Sequence, residues 1–138
     1  MIKVLFLLSI FIAYGCAAES CYISDESVKT LSAKNRNEFT FNIVKGSSGI
    51  ITVEVTVPKM LNRQNFDSLY LTGISSKTNR PYWGIPVATI PIKSDGLHLS
   101  AEMFIPENLI ENAWFSITYG SGSCLPYMMY ELKKLVSE

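Results

Sequence analysis

The sequence predicts an all-β protein: a single antiparallel β-sandwich of immunoglobulin-like architecture, with about seven strands, behind a cleaved signal peptide. Three observations predict it. Short apolar–polar alternations recur along the chain. Turn residues separate them roughly every ten to fifteen positions. No long stretch repeats its apolar residues at helical spacing. A partly open β-barrel is the alternative architecture for the same strands.

The first strand signal is Phe39, Phe41 and Ile43 alternating with Thr40 and Asn42. Gly46-Ser47-Ser48-Gly49 is a turn, and Ile51, Val53, Val55 and Val57 then alternate with Thr52, Glu54 and Thr56. This second run is the clearest in the chain, apolar on one face, wet on the other and β-branched throughout. The two runs predict a hairpin, with Pro58 ending its second strand. After the polar stretch Asn62, Arg63, Gln64, Asn65, residues Phe66 to Ile74 read as a strand and Ser75 to Pro81 as a loop. Gly84 to Ile92 is extended but holds Pro86 and Pro91, which confines it to a sheet edge or a bulge. Ser94-Asp95-Gly96 is a turn, followed by Leu97, Leu99, Ala101 and Met103 in alternation with His98, Ser100 and Glu102. Pro106 to Asn112 is expected to form one helical turn with Pro106 at its first position. Trp114 to Tyr119 and Tyr127 to Leu132 complete the strands, and a short charged tail follows.

The chain opens with the pattern of an export signal, so residues 1–18 are expected to be removed and residues 19–138 to form the single domain. Lys3 supplies the positive start, Val4 to Ala13 is apolar, and the small residues Gly15, Cys16, Ala17 and Ala18 follow. The apolar run is about half the length needed to span a hydrocarbon core. Cutting after Ala18 places small residues at −1 and −3. The alternative is lipoprotein processing at Cys16, which would tether the domain to a membrane surface through a lipid anchor. Residues 19–34 are polar and read as an N-terminal arm.

Of three cysteines, Cys16 leaves with the leader or carries the lipid, so Cys21 and Cys124 remain to pair in an oxidising compartment. A bridge closing a loop of about 100 residues contributes about 4 to 5 kcal/mol in the chain-entropy model. A redox role would need a Cys-x-x-Cys spacing or a nearby histidine, and neither is present. The position of the pair at the two ends of the domain departs from antibody domains, whose bridge joins interior strands.

The full chain carries 12 basic and 12 acidic residues. Removing Lys3 leaves a net charge of −1, with no basic block for nucleic acid. His98 is the only histidine, on the polar parity of its strand, with Glu102 on the same face as its expected neighbour. A lone histidine supplies neither a serine triad nor a metal centre. Ser47, Ser48, Ser121 and Ser123 lie beside glycines, yet none sits in a Gly-x-Ser-x-Gly elbow. Glu107 and Glu111 share a helical face without forming an acid–base pair, and Met60, Met103, Met128 and Met129 read as core filling. No catalytic residue, metal or cofactor is therefore expected.

Aromatic residues are the one suggestive feature. Arg80, Tyr82 and Trp83 combine a planar cation and two large rings around Pro81 in a loop, a mixture suited to contact surfaces. The competing role for Trp83 is to fold back over the open edge of the sheets. The expected function is an exported, non-enzymatic recognition or accessory module, secreted or periplasmic, that meets a protein or glycan partner through its loops. The alternatives are an envelope assembly component using an exposed strand edge, and a small hydrolase whose pocket would set His98 against an acidic group.

Overall fold

The computed structural model describes residues 23–78, 80–122 and 125–138. The leader, Cys16, Cys21 and Cys124 fall outside these residues, and with them the expected cleavage, lipidation and disulfide. The chain is mostly β, and its strands form two antiparallel sheets that do not close into a barrel.

The first sheet is built on the strongest alternation. Strand β1 (Thr40–Lys45) pairs with β2 (Ile50–Pro58) as the expected hairpin, with Phe41 opposite Val55 and Ile43 opposite Val53. Gly49, at φ 73°, supplies the left-handed turn residue that other side chains adopt only with strain. Ile51, Val53, Val55 and Val57 are all fully buried. The other edge of β2 pairs with β7 (His98–Pro106), and β6 (Ile90–Pro91) follows it, giving the sheet order β1-β2-β7-β6.

The second sheet centres on β4 (Gln64–Ile74) and β8 (Ala113–Tyr119), with β9 (Tyr127–Glu131) beside β8. Its inner face carries Leu69, Leu71, Ala113, Phe115, Ile117, Tyr119, Met128 and Tyr130. The short β3 (Met60–Leu61) turns back onto the start of β4 through Asn62 and Arg63, both at positive φ, as a tight two-residue hairpin turn requires. The inner faces of the two sheets share one core. The Phe41 ring of the first stacks on Phe115 of the second at 5.5 Å between centroids, and the Tyr119 hydroxyl crosses to donate to the Pro58 carbonyl at 2.7 Å. Burial pushes the Tyr119 and Tyr130 phenols upward, so both remain hydrogen-bond donors.

The proline-containing stretch Gly84 to Ile92 divides between the sheets. Strand β5 (Pro81–Pro86) pairs with β4, and β6 (Ile90–Pro91) pairs with β7. Pro86 and Pro91 lack an N–H, which suits them to these edge positions. Pro106 caps a 3-10 turn, Glu107–Asn112, from outside rather than opening it as the first helical residue.

Two helices depart from the expectations. The segment read as a polar arm holds helix α1 (Asp25–Lys34), and the charged tail holds α2 (Leu132–Ser137). Ser24 caps α1 by accepting from the Ser27 N–H, Asp25 and Glu26 sit in its first turn and Lys34 in its last. Its buried stripe is half polar, which hides it from a hydrophobic-period reading: Val28 and Ser32 face the sheet, and the buried Asn35 follows. Ser32 Oγ donates to the Val28 carbonyl at 2.7 Å and accepts the Met129 N–H at 2.9 Å. The helix therefore occupies a hydrogen-bonding position on the outer edge of β9.

Candidate functional site

Alternation in the second sheet sends Tyr70 and Thr72 of β4, Trp114, Ser116 and Thr118 of β8, and Tyr127, Met129 and Glu131 of β9 to the outer face. The register sets them in rows. Gly84, Thr72, Trp114 and Glu131 lie side by side across four strands, and Pro86, Tyr70, Ser116 and Met129 form the next row. Helix α1 stands along one side of this face and the β4–β5 hairpin along the other. Between them runs an open cleft of about 1120 Å³.

The floor of the cleft is aromatic and hydroxylic. Trp114, Tyr127 and Met129 are half-buried there, and Thr72 is only 8% exposed. Among the described residues neither Thr72 Oγ1 nor Ser116 Oγ has a hydrogen-bond partner, and no side-chain oxygen is both sealed from solvent and unpaired. Both residues line the cleft, so their hydroxyls are available to a ligand there. Gly84 keeps the Thr72 side of the floor open: a Cβ there would stand 3.9 Å from Thr72 Oγ1 and 3.8 Å from the Tyr70 ring.

The rim is charged, and much of its charge is paired. Arg36 bonds Glu138, and Lys134 meets Glu131 at 2.8 Å. The Arg36 guanidinium also lies over the Phe41 ring at 5.1 Å and over Tyr130 at 6.0 Å, which ties the start of the first sheet to the end of the second.

The three residues singled out in the sequence separate. Arg80 is exposed in the loop ahead of β5, where its carbonyl accepts the Ser75 N–H at 3.0 Å, and it does not line the cleft. Tyr82 and Trp83 belong to strand β5 rather than to a loop. Tyr82 is 62% exposed at the cleft rim. Trp83 also borders the cleft, but its ring lies across Gly73 and packs against the core: a Cβ at Gly73 would fall 2.0 Å from Trp83 Nε1. Trp114, Thr72 and Ser116 were missed. The signal for Trp114 was present, since Ala113, Phe115, Ile117 and Tyr119 fix the inward parity of β8 and leave a tryptophan on the wet one.

His98 lies elsewhere, at the start of β7, and its partner is Asp95 at 2.8 Å rather than Glu102. Residues 98 and 102 share a face, but four residues of extended strand hold them about 13 Å apart. The turn instead brings Asp95 back to accept from the Leu97 and His98 N–H groups as well as the ring. The Leu97 N–H, then the His98 ring, holds the Asp95 carboxyl below the usual carboxylate range. Among the described residues no group of three or more His, Cys, Asp or Glu side chains is placed to hold a metal. Compared with known proteins, the chain matches no family model, no curated sequence and no solved structure.

Proposed function

We propose that this protein is an exported, non-enzymatic recognition or accessory module, and that its contact site is the cleft on the outer face of the second sheet. The observation that carries the reading is Thr72. A nearly buried hydroxyl on a sheet's outer face, unpaired and bordering an aromatic-lined cleft, suits a ligand that completes its hydrogen bonds. The non-enzymatic reading is supported by a floor without histidine and by an Asp95–His98 pair that serves its own turn. The scaffold reading is an immunoglobulin-like β-sandwich. Its support is the strand order, β1-β2-β7-β6 facing β5-β4-β8-β9, which follows the A-B-E-D and C′-C-F-G arrangement of that architecture. Export rests on the leader pattern of residues 1–18, with a Cys21–Cys124 bridge and a soluble or Cys16-anchored product.

Ser116→Trp fills the floor of the cleft from an outward-facing position. The variant should keep the wild-type unfolding midpoint and lose the ligand or partner that the wild-type chain retains from its native extracytoplasmic environment. Retention of that partner by the filled variant would place recognition elsewhere. One observation favours the assembly alternative: β1 is the end strand of its sheet, and beside it Val44 and Phe104 are 64% and 69% exposed in one cross-strand row with Thr52. Concentration-dependent self-association abolished by Val44→Lys, but not by Ser116→Trp, would favour that reading over the cleft.

A further inference from the structure

Resting on the reading of the cleft as the recognition site, we propose that its ligand is a neutral oligosaccharide, bound along the outer face of the second sheet over Trp114 and against the hydroxyls of Thr72 and Ser116.

The chemistry of the cleft selects this class. A pyranose ring presents C–H groups on its faces and hydroxyls around its edge. It therefore needs flat apolar surfaces beside groups that both donate and accept. Trp114 and Tyr127 supply the surfaces on the floor, and Tyr82 supplies a third at the rim. Thr72 and Ser116 supply hydroxyls, each one donor and two acceptor positions, free of partners among the described residues. Size allows more than one sugar unit, because about 1120 Å³ lies just above the roughly 300–1,000 Å³ of pockets that enclose one small molecule. The cleft is also partly open rather than enclosed, which leaves room for a chain ligand to extend beyond it.

Other ligand classes fit less well. An acyl chain would strand both floor hydroxyls away from water, at a cost of about 1–3 kcal/mol each. A polyanion or polycation would meet a rim whose Arg36–Glu138 and Lys134–Glu131 pairs cancel one another. A peptide adding as a strand to β9 would have to displace α1, whose Ser32 accepts the Met129 N–H on that edge.

The test uses the full chain produced by export, titrated by calorimetry with hexamers of glucose, xylose, mannose and N-acetylglucosamine and with the matching monosaccharides. A Trp83→Phe variant makes Trp114 the single tryptophan reporter for parallel fluorescence titrations. At least one neutral hexamer should bind, more tightly than its monosaccharide, with little dependence on salt and with a change in Trp114 emission. Trp114→Ala should weaken it by about tenfold or more, and Thr72→Val should weaken it without moving the unfolding midpoint. Binding that survives both Trp114→Ala and Ser116→Trp would overturn the proposal, because the sugar would then sit elsewhere. If no sugar binds but dodecyl maltoside or an amphipathic peptide binds and is lost in Ser116→Trp, the cleft is a recognition site and the saccharide class is wrong. If none of these probes binds, both the ligand class and the cleft reading fall.

Discussion

The outer faces of the two sheets begin from the same alternation and reach different ends. On the first sheet the outward positions are mostly polar, Asn42, Thr52, Glu54, Thr56, Ser100 and Glu102, with Val44 and Phe104 exposed in the Thr52 row and Glu54 and Glu102 directly opposite each other across the β2–β7 pair. Like charges at that spacing repel, and open water together with the Asn42 Nδ2 donation to Glu54 at 3.4 Å makes the arrangement tolerable. On the second sheet the outward positions are Tyr70, Thr72, Trp114, Ser116, Thr118, Tyr127, Met129 and Glu131, and α1 rises beside them. The difference teaches that alternation identifies which face is buried but leaves the character of the other face open. The composition of the wet parity, and what the chain ends lay next to it, separate a bare solvent face from a site.

Six substitutions break or sharpen this contrast, and stability measured by denaturant unfolding reads all of them. The largest loss is expected at Gly73, over which the Trp83 indole lies. Gly73→Ala sets a methyl group against the Trp83 indole, so Trp83 or the strand must move, at about 1–3 kcal/mol or more. A neutral result would mean that Trp83 does not rest on β4. Next comes Val55→Ala, expected to lose about 1–3 kcal/mol from burial and cavity, against less than about 0.5 kcal/mol for its outward neighbour in Thr52→Ala. Equal losses would remove the distinction between the faces of the first sheet. Ser32→Ala tests the wall of the cleft. It deletes the acceptor of the Met129 N–H and should cost about 1 kcal/mol, with faster amide exchange at Met129 than elsewhere in β9. The smallest effect is a gain. Glu102→Lys replaces a repulsive cross-strand pair with an attractive one and should stabilise the chain by about 0.2–1 kcal/mol, less at high salt. Thr72→Lys, by contrast, should stabilise nothing and should impair the cleft.

Much of the strand framework was legible because it obeys a two-residue period. Ile51 to Val57, Leu69 with Leu71, and Phe115 with Ile117 announced their inward parity, and Pro86 and Pro91 announced edges. Helix α1 was not legible because Ser32 and Asn35 hold buried positions that a pattern reading assigns to water. Their polar atoms are satisfied by helix carbonyls and by β9 itself, with Asn35 Nδ2 donating to the Leu31 carbonyl at 2.8 Å. The cleft was hidden with α1, since its wall is that helix. The Arg80–Trp83 segment was conspicuous by composition, yet the bulged β4–β5 pairing turns Trp83 onto Gly73 and leaves Arg80 outside. Which strand edge lies beside which helix is a long-range fact, and local composition does not encode it.

The contact between Ser32 and Met129 also bears on how the protein survives at high concentration. An open strand edge offers its N–H and C=O groups to any other chain with an edge of its own, and from there intermolecular sheets grow. With α1 in place, the outer Met129 N–H of β9 is already engaged. A chain clipped within α1 would keep most of its core residues while exposing that edge. Cleavage within α1 would therefore add another open edge to that of β1 and favour intermolecular pairing.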